Sequence, residues 1–199
     1  MKLLRFIFGC IVMVIAFGCE ENPSINKSID LSKIENVKAL KSEAQRLSFS
    51  MLNEKEKQLI WDQHFEDVLS QNSLTNAQVQ LISELKSLNT ENLHSEMTTV
   101  SSRIEMEKDW LARAETLFGK DQLRNLAYGL DSKLTTKAYV EISSSAAAKE
   151  DITTCSCNTT SMFTCGELAT CNGSCLTTTV GCGFMWLWDC NGKCNLTPA

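Results

Sequence analysis

Proline is scarce in this 199-residue chain, at 2 residues, and glycine is limited to 9. Those numbers exclude a collagen-like or low-complexity polypeptide. No segment is strongly basic, and 19 Lys and Arg stand against 24 Asp and Glu, a formal charge of -5. The electrostatic footprint of a nucleic-acid binder is therefore missing. Histidine occurs only as His64 and His94, which leaves little material for metal or acid–base chemistry. The most telling absence is of cysteine. Of ten cysteines, Cys10 and Cys19 lie near the start and eight lie between 155 and 194, with none from 20 to 154. The chain reads as three sequences joined end to end.

The first of these, Met1–Arg5, carries Lys2 and Arg5, and Phe6–Phe17 is then apolar. A basic start, an apolar stretch of about 7–15 residues and a small residue at the cut describe a secretory signal. The stretch falls short of the roughly 20 residues that span a bilayer. Two cleavages compete after residue 18. Ala16-Phe17-Gly18 suits an ordinary signal peptidase, while Ile15-Ala16-Phe17-Gly18-Cys19 resembles a bacterial lipobox. In a lipobox Cys19 is acylated and becomes the new N-terminus. Cysteine parity favours this: ordinary cleavage leaves an odd thiol in an oxidising compartment, whereas lipidation consumes Cys19. Several acyl chains would anchor the protein to its own membrane. Glu20-Glu21 resembles the acidic tag with which some bacteria send lipoproteins to the cell surface.

Residues 19–130 read as a helical, bundle-like region. Val37, Leu40, Ala44, Leu47 and Met51 fall at helical steps and predict one apolar stripe. Asn53-Glu54-Lys55-Glu56 and Thr75-Asn76-Ala77-Gln78 are capping-box patterns. The first opens a helix with Leu59, Ile60, Trp61, Phe65, Val68 and Leu69, and the second a helix with Val79, Ile82, Leu85 and Leu88. A long helix is expected through Leu93, Met97, Val100, Ile104, Leu111, Ala114 and Phe118, ended by Gly119, then a short one through Leu123, Leu126, Ala127 and Leu130. His64 beside Asp62 has the makings of a general base, but with no nucleophile or metal ligand near it reads as a half-exposed helical histidine. Glu54/Glu56 and Glu105/Glu107/Asp109 read as solvated faces.

Residues 131–154 lose the helical pattern. Tyr139–Ile142 alternates like a short strand, and Ser143–Ala148 is six small residues in a row. Such a composition fits a passive tether and a processing site equally.

The last segment, residues 155–199, holds Cys155, Cys157, Cys165, Cys171, Cys175, Cys182, Cys190 and Cys194. Behind a secretory signal this is a disulfide framework, a small loop-rich module. Cys155 and Cys157 are too close in sequence to be expected to share a bridge. The tail has no histidine, so a zinc site is disfavoured, and no cofactor is implied. Phe184-Met185-Trp186-Leu187-Trp188 is an apolar, aromatic run in a Thr/Ser/Asn-rich setting. It reads either as the module's own core or as its contact surface for a target or a membrane. Over residues 151–199, Lys193 against Asp151, Glu167 and Asp189 argues against simple attraction to anionic lipid.

Cys155-Ser156-Cys157, Gly181-Cys182-Gly183, Trp186 and Cys190-Asn191-Gly192, with the total of eight cysteines, resemble the bacteriocin fulvocin C-related proteins. The resemblance implies a bacteriocin-like antibacterial protein or its secreted, surface-borne precursor, acting on an envelope component or the membrane of a target cell. The alternative is a non-toxic surface lipoprotein that binds or adheres. An enzyme is not expected.

Overall fold

The computed structural model describes residues 28–134, 155, 157–161, 169–173, 175 and 178–196. Met1–Cys19, the Tyr139–Ile142 segment, the Ser143–Ala148 run and Cys165 lie outside them. The protein is mainly α-helical with a disulfide-rich C-terminal region, as expected. Among the described residues six α-helices precede the strands: α1 (Leu31–Ala39), α2 (Ser42–Ser50), α3 (Glu54–Leu69), α4 (Asn76–Leu88), α5 (Val100–Ala114) and α6 (Lys120–Ala127). A 3-10 turn, Glu91–His94, joins α4 to α5. Among the described residues no helix is long and apolar enough to cross a membrane.

Local chemistry sets these boundaries. Both expected capping boxes form. The Asn53 side chain accepts from the Glu56 amide at 2.9 Å and Glu56 accepts from the Asn53 amide at 3.0 Å. The Thr75/Gln78 pair repeats the arrangement. Each satisfies amides that the helix itself leaves bare. Glu56 is only 1% exposed, because its other oxygen accepts from the Asp30 amide at 3.0 Å and so ties the start of α1 to α3. Its expected solvated role is corrected.

The expected stripe along 37–51 does not survive. The backbone is extended at Leu40 and Lys41, which separates α1 from α2. Leu47 and Met51 are exposed, while Ile34, Val37, Phe49 and Leu52 are buried. The break rotates α2, so the residues that reach the core are not those of one continuous helix. The long helix likewise begins only at Val100, capped by Thr99, and leaves Met97 in solvent. It ends at Ala114, and Gly119 serves instead as the N-cap position of α6.

Two short antiparallel pairs form the C-terminal region. Strand β1 (Ala169–Asn172) pairs with β4 (Lys193–Leu196), Cys171 opposite Cys194. Strand β2 (Thr178–Cys182) pairs with β3 (Trp188–Cys190), Cys182 opposite Trp188. Cys157 joins the first pair by exchanging backbone hydrogen bonds with Gly192 at 3.0 and 3.1 Å. Strand β2 packs against α2. The helices and the C-terminal region share one hydrophobic core: Ile60, Trp61, Phe65, Ile82, Leu85, Trp110 and Leu126 are continuous with Phe184–Trp188. The uneven cysteine distribution suggests separable units. The packing joins them.

Candidate functional site: the docked aromatic loop

Three described bridges staple the C-terminal region: Cys155–Cys175, Cys157–Cys171 and Cys182–Cys190, with Cα separations of 5.7, 6.0 and 5.2 Å. Cys155 and Cys157 have different partners, as expected. Cys194 is disulfide-bonded as well. Bridges of this kind belong to an oxidising compartment, which fits export. Among the described residues the segment has a small sulfur cluster of its own, in which Cys155, Cys182 and Cys190 bury one another with Cys175 beside them. Gly192 lies so close that a Cβ there would fall 2.6 Å from the Cys171 sulfur.

The Cys182–Cys190 bridge closes the β2–β3 hairpin, whose tip carries the aromatic run. The tip is a tight 3-10 turn, with Trp186 N–H donating to Gly183 O at 3.1 Å and Leu187 N–H to Phe184 O at 3.0 Å. Gly183, Met185 and Trp186 all have positive φ, at 67°, 48° and 54°. Two consecutive non-glycine residues in the left-handed region are costly, and such a conformation persists only where the surroundings fix it.

The surroundings are the helices. Phe184 and Met185 are 0% exposed and Trp186, Leu187 and Trp188 between 6 and 8%. The run expected as a target or membrane contact is therefore buried, and what buries it is the helical region rather than the module itself. Trp186 stands edge-on to Phe49 of α2 at 5.1 Å and to Trp61 of α3 at 5.6 Å. Phe184 lies against Trp110 of α5 at 5.6 Å and Tyr128 beyond α6 at 5.8 Å. Burying five such side chains is worth on the order of 10 kcal/mol gross, before the cost of ordering the loop.

Polar anchors ring the apolar contact. The Trp186 indole donates to Tyr128 O at 3.1 Å, and Arg103 of α5 donates to Leu187 O and Ser95 O, each at 2.8 Å. Beneath the loop, Glu107 accepts from the Tyr128 hydroxyl at 2.8 Å and from the Ser161 hydroxyl at 2.7 Å, while Ser161 Oγ accepts from Phe184 N–H at 3.2 Å. Asn158 shapes this turn by accepting from the amides of Thr160 and Ser161. Burial and the Glu107 carboxylate push the Tyr128 hydroxyl well above its usual pKa. Glu107 is 1% exposed, so it too is corrected from a solvated face to a buried link between helix and tail.

The histidines are structural groups. His64 is 4% exposed rather than half-exposed, and its Nε2 donates to Leu126 O at 3.1 Å. Burial lowers its pKa to about 4. Asp62 is engaged elsewhere, accepting from Asn89 at 2.8 Å. His94 donates to Asn89 Oδ1 at 2.7 Å, and burial lowers it to about 3. Among the described residues no cluster of three His, Cys, Asp or Glu is placed to hold a metal ion.

Sequence reasoning missed Ser161, Asn158, Glu107, Tyr128 and Arg103. Each is ordinary in its own segment and acquires its role only across the interface. No family model, no curated protein and no solved structure matches the chain.

Proposed function

We propose that this protein is an exported, lipid-anchored bacteriocin precursor in which the helical region keeps the cysteine-rich segment masked. Burial of Phe184–Trp188 among Phe49, Trp61, Trp110 and Tyr128 carries the reading. An aromatic loop prepared for a target envelope is harmless while its aromatic face is occupied. The fulvocin C-like cysteine pattern supplies the antibacterial class. The lipobox-like Ile15–Cys19 supports anchoring through acylated Cys19, and residues 131–154 offer the chain between the two regions as the place of cleavage.

The test compares growth inhibition of neighbouring bacteria by two oxidised samples. One is the intact chain. The other is its C-terminal segment, cut free between 134 and 155 and separated in urea with its bridges intact. The intact chain should be inert and the separated segment inhibitory. If neither inhibits across a broad panel while the intact chain binds cells, the protein is a surface-binding lipoprotein.

A further inference from the structure

Masking requires more than concealment in the uncut chain. We infer that the helical region is a receptor for the disulfide-closed hairpin loop, holding the cysteine-rich segment non-covalently even after the connecting chain is cut. The inference deepens the proposed function and rests on it for its biological meaning. The binding itself is independent of any toxicity.

The contact is built like an interface between two proteins. Its centre is one large aromatic anchor, Trp186, fixed edge-on between Phe49 and Trp61. Its rim is polar: Arg103 to Leu187 O, the Trp186 indole to Tyr128 O, and Ser161 to Glu107. A buried aromatic centre ringed by polar contacts is the anatomy of an energetic hot spot. The described bridges Cys155–Cys175, Cys157–Cys171 and Cys182–Cys190 all lie within the C-terminal segment, so none of them ties it to the helices. The ligand is also restricted before it docks. The Cys182–Cys190 bridge closes the hairpin and holds its two strands together. A loop already closed by a bridge loses less entropy on docking than an open one, which favours retention and helps offset the cost of the left-handed turn that the helices fix. The occupant is thus this chain's own disulfide-closed hairpin, bearing Phe184–Trp188.

The experiment replaces Ser143–Ala148 with the recognition sequence of a site-specific protease. The oxidised full chain is then cut, without denaturant, at micromolar concentration. The cut protein should elute as one species by size exclusion and appear as a two-chain complex in native mass spectrometry. Separation into two species overturns the inference. Two variants, made in the same full chain, locate the binding. Ser161→Ala removes the polar link and should speed release by about tenfold. Trp186→Ala should speed it by about 30-fold or more. If Trp186→Ala does not fold before cutting, Ser161→Ala alone decides. A cut Ser161→Ala protein that retains its tail as long as the unmodified one overturns the role of this contact. No cells enter the assay, so a failure of toxicity and a failure of retention are told apart.

Discussion

The two regions of this molecule solve the same problem differently. The helical region buries its apolar residues by amphipathic packing, with Ile60, Trp61, Phe65, Ile82 and Leu85 turned inward from α3 and α4. Among its described residues the C-terminal region has a sulfur cluster of its own and sends the large apolar side chains of Phe184 to Trp188 into the other region's core. A short segment of this kind cannot bury five large side chains within itself, and disulfides hold its backbone without them. The lesson is that a disulfide framework can be closed covalently and still be incomplete in its packing. Cysteine distribution marks where the staples are. It does not mark where a core begins and ends.

The sharpest way to break this comparison is Trp186→Ala. If the loop is a true part of the helical core, the variant should lose about 3–5 kcal/mol of unfolding free energy in urea. It should also lose helical circular dichroism in the same transition. A loss confined to the C-terminal region, with the helical transition unmoved, would restore the picture of two independent units.

The bridge that shapes the loop gives the next effect. Cys182 and Cys190 are buried at 1% and 0% exposure, so substitution probes them more cleanly than a reductant. Cys182→Ala with Cys190→Ala should lower stability by about 2–3 kcal/mol through the loosened unfolded chain. The midpoint of the helical signal should fall with it, although none of α1 to α6 contains a cysteine. An unchanged helical midpoint would separate the two regions again.

Acid addresses the helical side. His64 has a pKa near 4 in the fold, below the ordinary value of 6.5. The unfolded chain therefore binds the extra proton between those values. Its contribution is fully present above pH 6.5 and is lost as pH falls toward 4, by about 2 kcal/mol at pH 5. His94, lowered to about 3, acts in the same direction. Urea midpoints at pH 7.5 and 5 measure the effect, and His64→Gln should flatten part of it. A midpoint independent of pH over this range would contradict the burial of both rings. Because the core is shared, the hairpin should come apart at the same acid-shifted midpoint, which near-ultraviolet circular dichroism of Trp186 and Trp188 reads.

How much of this was written locally is clear from particular residues. The Asn53/Glu56 and Thr75/Gln78 caps are contacts within four residues, and they were legible. So were the cysteine framework and the separate partners of Cys155 and Cys157. The boundary at Leu40–Lys41 was not, and Phe49, which α2 turns into the core past that break, packs against Trp186, a residue in the distant tail. His64 and Glu107 look like surface residues on their own helices. One is covered by the end of α6 and the other by Ser161. The aromatic run was ambiguous for the same reason. Its pattern announces burial, while its partners lie in a segment whose own periodicity gives no hint of a vacancy.

The distance between Phe49 and Trp186 has a consequence for how the protein is made. They meet at 5.1 Å although more than half of the chain lies between them. Synthesis runs from the N-terminus, so α1 to α6 are complete well before Gly183 exists. Until Phe184–Trp188 arrive, Phe49, Trp61, Trp110 and Tyr128 lack the rings that pack against them in the fold, and contacts so far apart in sequence form slowly. Any product stopped short of the hairpin keeps that aromatic floor bare. A chain that lacks the hairpin therefore shows apolar surface that the longer chain buries, and is the more open to proteolysis for it.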